Sequence, residues 1–528
     1  MNRIVRRCLL ALALASAAPA AADTAVVPTD FATIQEAVDA VQGTPNPLVR
    51  IDSDATFTEM VAATQSVTIE AGGDFTPTLQ GTTAVGCVFS GGCAILFNPT
   101  GTQTTNFVLT GLRFLPAAGA GQSHRIIQMY NESSTLSFLT GEVLVFEDPA
   151  GSGATVLSAR IGPPGTGENR ITLRESSATV GGTAAVSTEA FAFSGEGRLT
   201  LREVTLVMRD ASSIAFSVFG DQGDGVTFEL CDSVLDIAAP DGPFSSDVGS
   251  LASLVTATIE RNRFILRDGP GPGEVQGITM STNDPSPESQ TLVLDANEFI
   301  GTGGDDSVGL TLSPQPGDMT TVTATNNVFR SLATAFLATP QSDAGSQIGG
   351  AVAMILVNNT VDDSADSAVV LDLQPFTITG ASIYNNLFTG SGGVGIEVDP
   401  GGGFLSPGIG HNGYFGNALG DLDAPLTDPD GVFADPLYLS GDDLRLRTGS
   451  PMLDAGDNSV PNLTALDIAQ QPRIQNGTVD IGAYEGAVQG SVIEVPTLGA
   501  PLLVLLAGLL ALLALSRLAS SPPPAPRD

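Results

Sequence analysis

The sequence predicts an all-β fold, a parallel β-helix solenoid with a short helix that caps its N-terminal end and a hydrophobic helix at its C-terminal end. Two observations predict it. An asparagine-centred unit recurs through the middle of the chain, and the composition favours strands and turns, with 61 glycines, 34 prolines and no tryptophan among 528 residues. Because 42% of the residues are hydrophobic and 15% are charged, the chain can bury a core and is not a disordered acidic polymer.

The recurring unit is an asparagine followed two residues later by an apolar residue. Weaker copies stand at Glu203 and Asp232, and the marked positions are 27 to 35 residues apart, a period that is typical of solenoids. The five clear copies are centred on Asn262, Asn297, Asn327, Asn359 and Asn386.

Each asparagine follows an alternating apolar run, such as residues 292–294 or 354–356. Asparagine tolerates left-handed backbone geometry, and stacked asparagines can hydrogen-bond along a solenoid axis. We therefore predict a structural asparagine ladder, in preference to a ligand-binding role for these residues. The apolar residue two positions later should point inward, which predicts an interior stack of Phe264, Phe299, Phe329, Val361 and Phe388.

The N-terminal region predicts a capping helix. Thr33 and Glu36 form a capping box, and Gly43 ends an apolar face made of Ile34, Val38 and Val41. Residues 31–38 resemble the opening of right-handed, pectin-lyase-like β-helix proteins, and together with the asparagine repeat the resemblance covers residues 30–420. It implies a right-handed parallel β-helix, which we assign to residues 23–430.

Residues 431–489 carry a second set of landmarks. Asp-Pro, Ser-Pro and Asp-Ala-Gly turns cut short alternating strands, and Arg473 follows at a position where Asp467 or Asp480 could pair with it. These landmarks resemble the choice-of-anchor Q domain of bacterial surface proteins. The resemblance implies a terminal domain that precedes a C-terminal anchor.

The first 22 residues predict a signal peptide. Three arginines precede an apolar run from Leu9 to Ala15, and small residues from Ala18 to Ala22 supply a cleavage site. We therefore expect an exported protein whose mature chain begins near Asp23.

The C-terminal tail, residues 490–528, predicts attachment to a membrane. Residues 498–515 are uncharged and Arg517 follows them, which places this end in the cytoplasm and the body outside. The preceding residues Val495, Pro496, Thr497 and Leu498 resemble the IPTL-CTERM sorting signal, although the tryptophan of that family is absent. The resemblance implies a Gram-negative envelope protein whose tail is read by a sorting protease, and the alternative is a plain membrane anchor.

The cysteines agree with export. Cys87 and Cys93 enclose a short glycine-rich loop, and an oxidising compartment favours a disulfide between them over two buried thiols. Cys231 stands at a repeat turn and is expected to be a small buried residue rather than a nucleophile.

Three carboxylates are weak catalytic candidates. Asp305 and Asp306 follow Asp284 by about one coil, and polygalacturonase-like β-helix hydrolases carry resembling segments. The chain lacks the accompanying Gly-His-Gly and has no lysine, so a solvated turn is the favoured interpretation.

Lyase chemistry and calcium are two further alternatives. Arg261, Arg263 and Arg267 could include the proton-abstracting base of a β-helix lyase, although a salt-bridged exposed face explains them more simply. Acidic turns at residues 221–225 and 428–431 could ligate a structural calcium ion, but neither completes a known loop. We expect no catalytic metal and no cofactor.

The net charge of −36 excludes nucleic acid as a partner, because phosphate contacts need clustered positive charge. We expect an envelope-displayed or secreted scaffold for surface interaction or adhesion, with polysaccharide as the partner. The alternatives are a polysaccharide lyase or glycoside hydrolase with a degenerate site, and a passive surface-layer component.

Overall fold

The computed structural model describes residues 23–486 apart from short turn segments at 84–86, 88–91, 101–102, 119–123, 132–135, 149–151, 153, 162–166, 182–186, 210–211, 221–224, 239–245, 268–274, 283–287 and 303–306. The predicted signal peptide and the tail with its sorting motif lie outside the described residues. Within the described part, no helix is both long enough and apolar enough to span a membrane.

Three parallel sheets, A, B and C, make a right-handed parallel β-helix, and from Leu48 to Leu422 the chain visits them in that order. Sheet A contains Thr24–Val27, Leu48–Ile51, Val67–Ala71, Thr105–Thr110, Ser137–Glu142, Asn169–Arg174, Gly197–Arg202, Val226–Cys231, Val255–Glu260, Ser289–Asp295, Met319–Thr325, Ala351–Val357, Ile378–Tyr384 and Phe404–Gly410. Sheet B contains Thr56–Thr58, Thr78–Gln80, Arg113–Leu115, Val145–Glu147, Ser177–Gly181, Thr205–Arg209, Val234–Ala238, Arg263–Arg267, Glu298–Gly301, Val328–Arg330, Thr360–Asp362, Leu387–Thr389, Gly413–Phe415 and Val432–Phe433. Sheet C contains Val61–Ala63, Cys93–Phe97, Arg125–Asn131, Thr155–Ile161, Ser187–Gly195, Ser212–Gly220, Ser246–Ala252, Val275–Ser281, Val308–Ser313, Thr334–Ala338, Val369–Asp372, Val394–Asp399 and Gly420–Leu422. Two small antiparallel pairs complete the described strands, Ser342–Asp343 with Ile348–Gly349 and Tyr438–Ser440 with Asp443–Leu446.

The interior is filled by columns of apolar side chains that run along the axis. In sheet B, strand register places the five predicted residues Phe264, Phe299, Phe329, Val361 and Phe388 in one column, and all are buried. The ring centroids of the first two phenylalanines are 4.5 Å apart, and the next pair is 4.7 Å apart. Burial of each phenylalanine contributes about 1.5–3 kcal/mol, so the column is a major source of stability.

The asparagine ladder runs along the turn between sheets A and B. The side-chain oxygen of Asn297 accepts hydrogen bonds from the backbone N–H and the Nδ2 of Asn262 at 2.9 and 3.0 Å. The Nδ2 of Asn297 also donates to the carbonyl oxygen of Ile259 on the preceding coil. The same bonds repeat through Asn327, Asn359 and Asn386 and continue to Asn412.

The left-handed residue of each turn is the one before the ladder asparagine. These preceding residues have φ angles of 54–57°, and they are Arg261, Ala296, Asn326, Asn358, Asn385 and His411. The expectation that the ladder asparagines themselves take this conformation is therefore wrong. The weaker copies were predicted one residue too early. Glu203 and Asp232 have positive φ, so they occupy the left-handed position that precedes the ladder position. Ser233 occupies the ladder position after Asp232, and its hydroxyl oxygen accepts a hydrogen bond from Val204 N–H.

A helix closes the N-terminal end, as predicted. It spans Ile34–Val41, and the Thr33 side chain accepts a hydrogen bond from Glu36 N–H at 3.1 Å. Its buried face, made of Ile34, Ala37, Val38 and Val41, covers the apolar end of the first coils. The solenoid interior is thereby closed to water at this end.

Residues 431–486, here called the C-terminal strap, begin with the last strand of sheet B, Val432–Phe433, and then fold back along the outside of the solenoid. The strap contacts the left-handed asparagines, since Asn326 Nδ2 donates to Thr464 Oγ1, Asn358 Nδ2 donates to the Asp480 carbonyl, and Asn385 Nδ2 donates to the Asp457 carbonyl. Its apolar side chains pack on the outer face of sheet B around Val328 and Leu387. The strap therefore covers one flank of the later coils.

Arg473 is the buried centre of the strap. Its Nη2 donates to Asn326 Oδ1 and to the Ala483 carbonyl, and its Nη1 lies 3.7 Å from Glu485 Oε2. We expected Arg473 to pair with Asp467 or Asp480, but its ion-pair partner is Glu485. Asp467 instead accepts a hydrogen bond from the backbone N–H of Glu485, and Asp480 accepts one from the backbone N–H of Asp454. Glu485 is therefore the carboxyl group that forms an ion pair with the Arg473 guanidinium in the described structure.

Candidate functional site

A cleft opens where the edge of the strap meets the outer face of sheet B. Its main part has a volume of about 420 Å³, and a side part of about 160 Å³ continues along Arg330 and Asp442. We call it the arginine cleft, and its charged lining consists of Asp232, Arg261, Arg263, Glu298, Arg330 and Asp442.

Strand register explains why charged groups alternate in this cleft. Arg263 and Glu298 are direct neighbours on adjacent strands of sheet B, and both point outward because the residues after them belong to the buried phenylalanine column. Arg261 occupies the left-handed turn one residue before the ladder asparagine, so its side chain projects from the same flank.

The ion pairs in the cleft differ in tightness. Arg261 binds both carboxylate oxygens of Asp232 at 2.7 and 3.0 Å. The closest approaches are longer for Arg263 with Glu298, at 3.6 Å, and for Arg330 with Asp442, at 3.5 Å. Exposed pairs with this geometry contribute about 0–1 kcal/mol, so their polar groups can exchange partners with a ligand at little cost.

Tyr484 and Ile468 of the strap give the cleft an apolar wall. Both pack against the cluster of Val328, Leu444 and Ala483. Burial raises the pKa of Tyr484 to about 12, and the nearby carboxylate of Glu298 adds to the shift. The tyrosine therefore presents a neutral ring and a hydroxyl group to the cleft.

Two of the three arginines named as lyase-base candidates, Arg261 and Arg267, lie in close salt bridges. A hydrogen bond from Arg261 to Asp232 raises the pKa of Arg261 further above its ordinary value, and Asp236 does the same for Arg267. Arg267 binds Asp236 in a bidentate pair on the exposed face. Both side chains are permanent cations, as the salt-bridged interpretation expects.

The three carboxylates proposed as catalytic candidates, Asp284, Asp305 and Asp306, lie outside the described residues. The described residues that flank their segments are Thr282, after the strand Val275–Ser281, and Ser307, before the strand Val308–Ser313. These two strands pair in parallel register, so Thr282 and Ser307 are at opposite ends of sheet C.

The acidic turn at residues 428–431 has a structural task. Asp428 Oδ2 accepts from the N–H and Nδ2 of Asn412 and from the hydroxyl of Tyr414, at 2.9–3.1 Å. Residues 221–224 of the other acidic turn are outside the described part of the chain. Among the residues that the structure describes, no group of three His, Cys, Asp or Glu side chains could hold a metal ion.

The structure joins Cys87 and Cys93 by a disulfide with a Cα–Cα distance of 6.0 Å. Cys231 is a free, buried thiol, and burial raises the pKa of its thiol group. A raised pKa disfavours the thiolate, which agrees with a packing role.

Comparison with solved structures finds several similar chains. The chain is similar to the crystal structure of pectate lyase Pel9A, with 13% sequence identity and a TM-score of 0.31 over 86% of this chain and 91% of that chain. No protein-family model and no curated protein matches the sequence. The β-helix assignment rests on the strand register, and no residue role is transferred from that enzyme.

Sequence reasoning found Arg261 and Arg263 but missed the rest of the cleft. Glu298 follows Asn297 directly, so the repeat itself contained the signal that Glu298 and Arg263 are neighbours. Tyr484 had no such signal, because it reaches the cleft only through the fold-back of the strap.

Proposed function

We propose that the protein is an envelope-displayed or secreted β-helix that binds polysaccharide through the arginine cleft. The observation that carries this proposal is the combination of alternating guanidinium and carboxylate groups with the wall formed by Tyr484 and Ile468. Sugars present hydroxyl groups at their edges and C–H groups on their faces. Such a ligand suits fixed polar groups beside an aromatic or aliphatic surface.

The charge of the cleft and of the whole chain favours neutral over anionic polysaccharides as ligands. Three arginines face three carboxylates in the polar lining, so the cleft is close to neutral, whereas the whole chain carries −36. A polyanion would be repelled by the surrounding surface. Neutral polysaccharides are therefore the favoured ligands, with the strap holding one wall of the binding site.

In this proposal, the cellular location of the protein is inferred from the N-terminal and C-terminal segments of the chain. The signal peptide at residues 1–22 exports the chain, and residues 498–515 hold it in the bacterial membrane until a sorting protease acts near Val495 to Leu498. The resemblance of residues 431–489 to choice-of-anchor Q domains supports the same arrangement, in which the body lies outside the cytoplasm.

The binding proposal predicts that the double variant Tyr484→Ala, Arg263→Gln loses affinity for polysaccharide. We expect at least a 10-fold increase in Kd for the glycan that a neutral-glycan array and pull-down identify for the wild-type protein, because stacking and paired hydrogen bonds are lost together. Isothermal titration measures the change, and the melting temperature should stay within a few degrees of wild type.

The matched control is Arg170→Gln. Arg170 is an exposed residue of sheet A that pairs with Glu168, and neither residue lines the arginine cleft, so its removal should leave Kd unchanged. Unaltered binding by the cleft variant, or an equal loss in the control, would count against the cleft as the binding site.

The location proposal predicts the result of deleting residues 495–528. The truncated protein should move from the membrane fraction to the periplasm or medium with its melting curve intact, since the compact unit of coils and strap ends at Gly486. Fractionation and immunoblotting measure this. Truncated protein that remains in the membrane would reject the tail as the anchor.

A further inference from the structure

A second concave region opens at the N-terminal end of the solenoid, along the corner where the chain enters sheet A. It has two adjoining parts, with volumes of about 480 Å³ and about 590 Å³, and Ser66 lines both of them. We call this region the N-terminal groove. Each part falls within the range of about 300–1,000 Å³ that is typical of ligand-binding clefts.

The lengths of three successive connections explain why the surface is concave there. Only residues 64–66 join the strands Val61–Ala63 and Val67–Ala71. The connection on the coil before, residues 42–47, and the connection on the coil after, residues 98–104, are each about twice as long. Residues of all three connections line the groove, so the short connection is its floor and the two longer ones supply its walls.

The corner part of the groove presents hydrogen-bonding groups without charge. Serine and threonine hydroxyl groups and the side-chain amides of Gln65 and Gln103 line it, and none of the described residues in this lining is ionisable. Hydroxyl and amide groups both donate and accept hydrogen bonds, as the hydroxyl groups of a sugar do. Such a lining offers partners to a neutral sugar, whereas an ion would lose its hydration without gaining a counter-charge.

Hydrogen bonds within the protein hold the floor in place. Gln42 Oε1 accepts from the N–H groups of Thr64 and Gln65 at 2.9 and 3.1 Å. Ser66 Oγ accepts from the N–H of Asn106 at 2.9 Å, and its own proton can still be donated to a ligand. The floor is therefore ordered before a ligand arrives, which lowers the entropic cost of binding.

Thr44, in the wall formed by residues 42–47, carries a hydroxyl group that the protein does not use. Its Oγ1 atom is buried and has no hydrogen-bond partner among the described residues. Buried polar atoms in native proteins are almost always hydrogen-bonded, so this atom calls for a partner from outside the chain. The groove thus contains an unsatisfied polar group as well as space for a ligand.

The second part of the groove adds an apolar edge. Pro45, Pro47 and Leu48 line it where the second strand of sheet A begins, and Asp23 and Glu70 are its charged residues. Proline rings are rigid and present C–H surface at a low entropic cost. The two acids can accept hydrogen bonds from sugar hydroxyl groups but would repel an anionic sugar.

We propose that the N-terminal groove is a second binding site, and that its ligand is a short stretch of a neutral polysaccharide. The site goes beyond the arginine cleft and does not depend on it, because other residues build it on the first coils without the strap. The three connections belong to successive coils, so the groove follows the solenoid axis for about 10 Å. This length suits an extended sugar chain rather than a single ring.

Isothermal titration of the full-length protein with hexasaccharides of β-glucan, xylan, mannan and galactan tests the proposal. The groove variant is Gln65→Ala, Gln103→Ala, and both glutamines are exposed, so the melting temperature should stay at the wild-type value. We expect at least one hexasaccharide to bind the wild-type protein and the arginine cleft variant Tyr484→Ala, Arg263→Gln. For that sugar, the groove variant should raise Kd at least 10-fold, because the hydrogen bonds of two amide groups are lost together.

A second variant and a matched control accompany this measurement. Thr104→Tyr fills the groove from its exposed edge and should raise Kd by excluding the sugar, with both amides still present. Gln341→Ala is the control, because Gln341 is an exposed glutamine that donates to Ser313 Oγ on sheet C and does not line the groove. It should keep the wild-type Kd.

The outcomes separate the two binding sites. Wild-type affinity in both groove variants, or an equal loss in Gln341→Ala, would overturn the N-terminal groove as a site. Binding that is lost in the arginine cleft variant and kept in the groove variants would remove the groove and leave the cleft standing. Binding that is lost only in the groove variants would do the reverse, and a wild-type protein that binds no member of the panel would overturn both.

Discussion

Arg473→Met is expected to release the C-terminal strap from the solenoid. Arg473 is fully buried and is bonded to Asn326, Gly482 and Ala483. Burial lowers its pKa, and Glu485 is the foremost of the carboxyl groups that oppose the shift. Without the guanidinium, buried carboxylates lose their cation, and breaking a buried pair in this way costs about 3–5 kcal/mol.

Hydrogen exchange at the strap is the direct measurement. The N–H of Ala483 donates to Thr360 Oγ1 and the N–H of Gly482 donates to the Asn385 carbonyl, so both amides are protected only while the strap is docked. We expect their protection to fall by at least 100-fold in Arg473→Met, which corresponds to about 2.7 kcal/mol. Amides of the phenylalanine column in early coils should be unaffected.

Arg445→Met supplies the comparison within the same segment. Arg445 pairs with Asp443 on the surface, and its side chain is 60% exposed. An exposed pair contributes about 0–1 kcal/mol, so this variant should keep wild-type protection at Ala483. Equal protection in both variants would mean that Arg473 does not hold the strap.

Phe299→Asp is expected to unfold the coils around it. The Phe299 ring is buried between Phe264 and Phe329 at centroid distances of 4.5 and 4.7 Å. The substitution removes two ring contacts and buries a carboxylate that has no partner, a change that costs more than 4 kcal/mol. Far-UV circular dichroism should show a loss of strand signal, and melting should occur at a much lower temperature.

Val293→Asp tests whether the effect comes from the interior. Val293 is on the preceding strand of the same coil but faces outward between Thr258 and Thr323. A carboxylate there stays in water, so we expect a change within about 1 kcal/mol. A wild-type spectrum and melting curve for Phe299→Asp would contradict a stacked interior at this position.

The fold could be predicted because its repeat is local. Each ladder asparagine and the apolar residue after it lie within three positions, so Asn297 and Phe299 identify their coil without knowledge of any other. The one-residue error at Glu203 and Asp232 has the same origin. The left-handed residue and the ladder residue are adjacent, and only hydrogen bonds between coils, such as that between Ser233 and Asn262, distinguish them.

The site could be predicted only in part because it depends on register between distant segments. Tyr484 and Arg263 are more than 200 residues apart in the sequence, and they line the same cleft only because the strap folds back onto sheet B. The partner of Arg473 was missed for the same reason. Only the folded turns bring Glu485 next to the guanidinium, while Asp467 accepts a hydrogen bond from the Glu485 backbone N–H.

The asparagine ladder also has a direction, and this gives the solenoid a built-in end. The backbone N–H and the Nδ2 of each ladder asparagine donate to the side-chain oxygen of the asparagine on the next coil toward the C-terminus. Each ladder residue must therefore supply an acceptor to the preceding coil and two donors to the following one. Asp428 accepts both bonds from Asn412, but a carboxylate has no side-chain donor for a further rung. The asparagine ladder therefore ends at Asp428, whose carboxylate satisfies the last two donors without supplying a new one.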